Sequence, residues 1–428
     1  MFDVLILGGG AAGFYAAIHI MESDPDLKVA ILERGKEVLG KVKVSGGGRC
    51  NVTHAEFDPK ALSKNYPRGE KELLGSFHKY ASGDTMAFFE ERGVPLKIEE
   101  DGRIFPVSDS SQTIIDCLLA ETDRLGVMVL RNSSVTHISR ISEKDDGNIG
   151  HWCLETIRGI YRARKLLVAT GSNPKIWDLL KKLGHNIVPP VPSLFTFNIK
   201  DERITDLPGL STRARISIVP GMGNMGRFNA ALKKYSISRS DLEAEGPLLI
   251  THWGMSGPGI LRLSAWGALL LSELNYRFAI SVNWLPDFHE GGVLEQLAQV
   301  KEIEGKRTVL RTRCFDLPKR LWIGLVKASG IGEADKWAEI SKAQLQELSR
   351  MLTTSRFQVN GKSTFKEEFV TAGGVDLREI DLRSYKSKIL PDLYFAGEIM
   401  NVDAITGGFN FQNAWTGAYI AAQAITRK

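Results

Sequence analysis

Six strand-forming residues, Phe2-Asp3-Val4-Leu5-Ile6-Leu7, run directly into Gly8-Gly9-Gly10-Ala11-Ala12-Gly13 and then into the helix-like Phe14-Tyr15-Ala16-Ala17-Ile18-His19-Ile20. Gly8, Gly10 and Gly13 have the G-x-G-x-x-G spacing, in which one glycine makes the tight turn, one lets a pyrophosphate approach and one lets the helix pack against the strand. The amides of the helix N-terminus then face the phosphates. A second apolar run, Lys28-Val29-Ala30-Ile31-Leu32, ends in Glu33, twenty residues after Gly13, where a carboxylate can accept from a ribose diol. Strand, glycine turn, helix and acid in that order predict a parallel α/β sheet that binds a dinucleotide.

Glu33-Arg34-Gly35 and Lys41 lead to a second glycine loop, Ser45-Gly46-Gly47-Gly48-Arg49-Cys50-Asn51-Val52-Thr53-His54. Three consecutive glycines let backbone amides approach a flat or anionic ligand, and Ser45, Arg49 and Asn51 add directional donors. The loop is expected to extend along the far half of a long dinucleotide; a surface loop is the alternative. Ser134 to Ile138, which includes Val135, and Lys165 to Val168, which ends in Ala169-Thr170-Gly171, read as further strands of the same sheet. Near the C-terminus, Leu393 to Ala396 delivers Gly397 and Glu398. Ile405-Thr406-Gly407-Gly408-Phe409-Asn410-Phe411 then opens a small-residue helix. A sheet begun at one end of the chain and resumed at the other implies an inserted domain between them.

Composition bounds the rest. The chain has 428 residues, enough for two or three domains, and its 43% hydrophobic and 25% charged residues exclude collagen-like, coiled-coil and disordered classes. Four scattered cysteines make neither a disulfide framework nor a metal motif, so no metal is expected and a reducing, cytoplasmic setting fits. No export leader is read before the glycines. The most apolar late stretch, Gly259 to Leu271, contains Arg262 and is too short to cross hydrocarbon about 30 Å thick, so no membrane partner is expected.

Together these residues resemble the BaiN/RdsA family of FAD-dependent oxidoreductases. The resemblance runs nearly end to end, through Phe105-Pro106, Thr251-His252-Trp253-Gly254-Met255-Ser256-Gly257-Pro258 and Thr371-Ala372-Gly373-Gly374-Val375 as well as the loops above. Its most specific parts are Ser45 to Asn51 and Gly407 to Gln412. It implies a Rossmann-like, three-layer FAD-binding domain with a parallel sheet, carrying an inserted β-rich plus helical domain, with NAD(P)H as reductant. FAD is then expected to lie between the two chain ends, against Gly8, Gly10, Ala11, Ala12, Gly13, Glu33, Arg34, Lys41, Ser45 to Asn51, Val135, Ala169 to Gly171, Thr371, Gly373, Gly397, Glu398, Gly408, Asn410 and Phe411.

Pro189-Pro190-Val191-Pro192 marks an extended connector, since each proline fixes φ and biases its predecessor away from the helix. The boundaries read as 1–190 with 357–428 for the FAD-binding domain and 191–356 for the insert. Within the insert, short β runs are predicted from Phe195 to Ser281, then helices over Val293 to Val300 and Ala334 to Met351. Gly221-Met222-Gly223-Asn224-Met225-Gly226 repeats the glycine spacing, but Pro220 precedes it and no strand ending in an acid follows, so a turn is favoured over a second dinucleotide site. Lys306, Arg307, Arg311, Arg313, Lys319, Arg320 and Lys327 face only Asp316, with Phe315 and Trp322 interleaved. This is a phosphate-contacting patch for RNA or a solvated helix face; no DNA partner is expected.

Reduction of an activated carbon–carbon double bond needs a proton donor beside the flavin. Cys50 is a candidate, with inert packing as its alternative. Arg49 is expected to steady developing charge, and His252, in a segment expected to face the flavin, has either a chemical or a structural role. The RdsA side of the resemblance implies uridine in ribosomal RNA as substrate. Small enone or steroid-like substrates are the alternative, and an RNA-assembly flavoprotein without turnover is a third reading.

Overall fold

The computed structural model describes residues 1–141, 150–221, 223–363 and 370–427. It contains two compact units, Met1–Val191 with Lys366–Lys428, and Pro192–Phe365.

In the first unit, parallel strands lie in the order Leu393–Phe395, Gly159–Val168, Phe2–Leu7, Val29–Leu32, Met128–Leu130. Val4 to Leu7 and Val29 to Leu32 are buried on both faces, which explains their unbroken apolar runs. Val135–Ile141 and His151–Thr156 continue antiparallel from Gly159–Val168. The helix Ala11–Ser23 is buried nearly all round and packs against Phe409–Thr426, so the first and last helices of the chain are neighbours. Both helices are rich in buried alanine, at 12, 16 and 17 in the first and 414, 418, 421 and 422 in the last, small residues that permit a close approach. The outgoing and returning chains pair as Ile187–Pro192 with Thr371–Val375.

The second unit contains a seven-strand antiparallel ladder ordered Ser355–Asn360, Arg277–Asn283, Ser211–Val219, Glu243–Thr251, Gly254–Ser256, Thr196–Asn198, Lys362–Ser363. Its first and last members flank Gly361, so the ladder returns to its own chain and closes as a barrel. Ser355–Asn360 is a strand of this ladder and Lys362–Ser363 another, so the second unit runs past the expected return at 357. The β-run reading of Phe195 to Ser281 is also corrected, because Met225–Tyr235, Pro258–Trp266 and Ala268–Glu273 are helices. The later helices are Glu290–Ile303, Lys319–Ala328 and Lys342–Thr353. Gly221 and Gly223 follow an antiparallel strand, in keeping with a turn rather than a second nucleotide sheet.

In the first unit His185 is buried between Glu379 and Ser387, with Nδ1 2.9 Å from Glu379 Oε2 and Nε2 3.1 Å from Ser387 Oγ. Ser387 Oγ already accepts from the amides of Ile389 and Leu390, so its hydrogen goes to Nε2 and the ring is neutral. Burial holds the imidazole below its ordinary value despite Glu379, and it does the same to His19 and His54. A folded pKa below the unfolded one means that the unfolded chain takes up the proton first. Stability present above about pH 6.5 is therefore lost as pH falls, by at most about 1.4 kcal/mol per pH unit for each imidazole. The urea midpoint is expected to drop between pH 7.5 and 5.5, and to drop less in His185→Gln; a midpoint unchanged over that interval contradicts neutral buried imidazoles.

Candidate functional site

The loops that leave the carboxyl edge of the parallel sheet carry nearly all the residues expected to bind a dinucleotide, and this edge is where open α/β sheets hold ligands. Gly8 has φ 111° and donates to Leu32 O at 2.9 Å; a Cβ there would stand 2.4 Å from Ala169 O. A Cβ on Gly13 would stand 2.0 Å from Gly8 O. These two glycines serve the meeting of turn, strand and helix. Gly10 differs: a Cβ there would meet nothing within 4 Å. It caps the helix Ala11–Ser23 with no side-chain hydrogen bond, and the first turn has no acid, so the helix amides open onto free space.

Glu33 receives Gly9 N at 2.8 Å on Oε2 and Gly35 N at 2.7 Å on Oε1, which pins it across the glycine turn with lone pairs left for a ribose hydroxyl. Beside it, Leu7, Gly8, Glu33, Arg34, Val135 and Thr170 line a groove completed by Ser133, Ser134, Asn173, Lys175 and Ile176. The last five were missed in the sequence. Asn173-Pro174 was the available signal: Asn173 caps the helix Pro174–Lys182 with proline in its first turn.

Glu398 gathers the next group. It pairs with Lys41, accepts from Thr371 N at 3.2 Å on Oε1, and its Oε2 is 3.6 Å from where a Gly171 Cβ would lie. A Cβ on Gly397 would lie 3.4 Å from that of Ala12 and 3.7 Å from that of Ala414, which brings the chain ends to one place. The hydroxyls of Thr170 and Thr371 have no hydrogen-bond partner among the described residues. Gly373 is buried where a Cβ would lie 2.7 Å from Pro190 Cα, so its missing side chain serves the strand pairing rather than a ligand, a correction to its expected role.

Residues 40–48 are helical with a break at Ser45, Gly46 and Gly47, where the sequence suggested only loop. Gly46, Gly47 and Gly48 take φ of 57°, 69° and 86°, and Cys50 takes 63°, a left-handed run that glycine tolerates best. The run folds back onto the C-terminal glycines. The Asn51 amide donates to Thr53 O at 2.9 Å and accepts from Gly408 N at 2.9 Å. His54 Nδ1 lies 3.1 Å from Gly407 O, and Trp415 Nε1 donates to Val52 O at 2.9 Å. Asn410 brackets Ala404 with both amide atoms, and Phe411 stacks 5.7 Å from Trp415.

Two expectations of chemistry are corrected. Cys50 has no exposed surface and its thiol is pushed up to about 12 by burial, so it is a protonated core group that presents no atom to a ligand. Arg49 donates to Glu99 at 2.6 Å and lies 3.9 Å over the Phe105 ring, so its charge is already engaged. His252 lies in the other unit, exposed at the turn between Glu243–Thr251 and Gly254–Ser256.

The donor set fits a dinucleotide on the first unit's own observations: an open cradle at Gly10 that a side chain would fill, uncapped helix amides, and two unpartnered buried hydroxyls. Among the described residues no cluster could hold a metal ion and no helix is long and apolar enough to cross a membrane.

Residues 2–424 match the family model described as HI0933-like protein Rossmann domain. The chain is 28% identical to a protein of Haemophilus influenzae named ribosomal RNA dihydrouridine synthase, covering 99% of this chain and 98% of that one. The Escherichia coli protein of the same name is 28% identical over 99% and 97%. A Clostridium scindens protein named 3-dehydro-bile acid delta(4,6)-reductase is 27% identical over 99% and 98%.

Proposed function

Because this chain belongs to the HI0933-like family of Rossmann-domain proteins, we propose that it is an FAD-dependent oxidoreductase that uses NAD(P)H to reduce a carbon–carbon double bond, with uridine in ribosomal RNA as its substrate and dihydrouridine as product. The observation that carries this is the meeting of both chain ends at the open helix start of Gly10, in a chain whose full-length relatives bear the synthase name.

In this reading Gly8 to Gly13 and the helix Ala11–Ser23 hold the diphosphate and Glu33 orients the adenosine ribose. The loops at Lys41 to Asn51, Thr371, Glu398 and Gly408 to Phe411 hold the rest. Bound there, FAD supplies hydride to an electron-poor carbon. The protein's own part is to exclude water and orient the base. The Lys41–Glu398 pair ties the two loops together, and the buried Thr170 and Thr371 hydroxyls, unpartnered among the described residues, find partners in the ligand.

The basic segment supports an RNA partner. Arg307 pairs with Glu304 and Lys327 with Glu333, whereas Lys306, Arg311, Arg313, Lys319 and Arg320 are exposed and have no carboxylate partner among the described residues. Such cations contact phosphates and position a polyanion. Trp322, in contrast, is wholly buried and bonded to Val309 O, so it offers no stacking surface, a correction to its expected part. An rRNA substrate puts the work in the cytoplasm.

Deletion of the gene, mapping of dihydrouridine in ribosomal RNA, and restoration with wild type or Cys50→Ala test the reading. Wild type is expected to restore a missing modification. Cys50→Ala is expected to restore it as well, within about 2-fold, at a stability cost of about 1–2 kcal/mol. A modification map unchanged by deletion rejects the rRNA substrate. The second reading, reduction of a small enone, has the Clostridium scindens relative's name in its favour and predicts reoxidation of reduced protein by such a compound but not by RNA.

A further inference from the structure

Asn51, Val52, Thr53 and His54, which follow the second glycine loop, each hold one residue at the start of the last helix. Asn51 accepts from Gly408 N at 2.9 Å, Val52 O accepts from Trp415 Nε1 at 2.9 Å, Thr53 Oγ1 donates to Gln412 Oε1 at 2.6 Å, and His54 Nδ1 lies 3.1 Å from Gly407 O. Gln412 is wholly buried, and its Oε1 also accepts from Thr85 Oγ1 at 3.0 Å.

The bonds of His54 and Asn51 meet on a single peptide unit. The carbonyl of Gly407 and the amide of Gly408 belong to one plane, which is gripped at its oxygen by the imidazole and at its nitrogen by the carboxamide. A carbonyl can only accept, so His54 Nδ1 carries the hydrogen. Gly407 and Gly408 take φ of 128° and 92°, and two glycines in succession do nothing of themselves to fix the plane between them. The two side chains fix it.

The imidazole is seated for this bond. Its backbone is paired with Arg103 through the short strand Thr53–His54. Its ring lies 4.5 Å from that of Phe409, the first residue of the helix, and a Cβ on Gly102 would stand 2.6 Å from Nε2, so the ring fills a slot that a side chain at Gly102 would close. The helix Phe409–Thr426 is capped by Gly408 with no side-chain hydrogen bond and has no acid in its first turn, so the plane before it governs how its first amides are presented.

We propose that His54 is a positioning residue for the flavin: with Asn51 it fixes the Gly407–Gly408 peptide, and through it the direction in which the amides that open the last helix meet the ring of FAD. This deepens the FAD reading and rests on its placing of Gly408 to Phe411 at the flavin. Reduction adds negative charge to the ring, and the positive end of a helix favours the reduced form over the oxidised one. The flavin potential therefore depends on the grip.

The test is titration of the deflavinated full chain with oxidised and with reduced FAD, together with the potential of the reloaded protein and its melting curve. Leucine and asparagine have the same shape, and only asparagine carries a donor where Nδ1 stands. His54→Leu is expected to bind oxidised FAD about 3-fold and reduced FAD about 30-fold more weakly, a tenfold difference that lowers the two-electron potential by about 30 mV. His54→Asn is expected to keep both affinities and the potential near those of wild type. His54→Gln, whose amide reaches past Gly407 to where Nε2 stands, is expected to follow His54→Leu and replaces it should leucine disturb the fold. An unchanged potential in the variants without the donor overturns the proposal, as does equal loss in His54→Asn and His54→Leu. Wild-type chain that takes up no FAD removes the FAD reading and this proposal with it, whereas failure in the variants alone leaves that reading standing.

Discussion

Replacing Gly10 with glutamate is expected to yield a folded, colourless protein. A Cβ at Gly10 meets nothing within 4 Å, and the helix behind it has no acid in its first turn, so a carboxylate at the cap is expected to spare the fold and favour the dipole. With the diphosphate at this turn, as proposed above, the same carboxylate would occupy its space and repel it. Like charges at close quarters cost several kcal/mol, which weakens binding by at least about 100-fold. Gly13→Ala is expected to behave differently: its Cβ would stand 2.0 Å from Gly8 O, so the turn and helix must part and stability falls by about 1–3 kcal/mol or more, with flavin lost as a consequence. Flavin absorbance relative to protein, read beside the melting temperature, separates the two. A yellow Gly10→Glu protein with wild-type flavin content would place the diphosphate elsewhere.

Arg68→Leu is expected to have the largest effect on stability, about 3–5 kcal/mol. Asp403 is wholly buried, and Arg68 grips it with two parallel bonds, Nε to Oδ1 at 2.5 Å and Nη2 to Oδ2. A backbone bridge joins the same two residues, and Ile405 N donates to Asn65 O at 3.0 Å. The pair thus anchors the stretch that leads into Gly407 and Gly408, and its loss leaves a buried carboxylate without its main counter-charge while freeing that stretch. Urea unfolding of Arg68→Leu, with Arg68→Leu/Asp403→Leu as the control, measures it; the double variant is expected to recover much of the loss. A single-variant cost below about 1 kcal/mol would show that the pair is not the anchor.

The parallel sheet and its opening glycine turn were legible because local pattern dictates them: strand period and glycine spacing each have one good structural use. The sidedness of a loop was not. Cys50 follows three glycines and an arginine, and nothing in that spacing indicates that a left-handed turn carries its thiol inward while Arg49 turns out to Glu99. The burial of Trp322 is legible in Leu321, Trp322, Leu325 and Val326 recurring at helical spacing, a period that the interleaved cations obscure. The barrel was beyond local reading. Its closure depends on Thr196–Asn198 meeting Lys362–Ser363 across the whole insert, and the place where the insert ends follows from that pairing.

The neighbouring first and last helices bear on how this protein is made. When a ribosome has delivered residue 365, the insert has every strand of its barrel, whereas the sheet begun by the opening residues still lacks Leu393–Phe395 and the helix Phe409–Thr426. The middle of the chain can therefore mature before its beginning, against the usual N-to-C order of synthesis. Yellow colour should be acquired only once Leu393–Phe395 and the helix Phe409–Thr426 have joined that sheet.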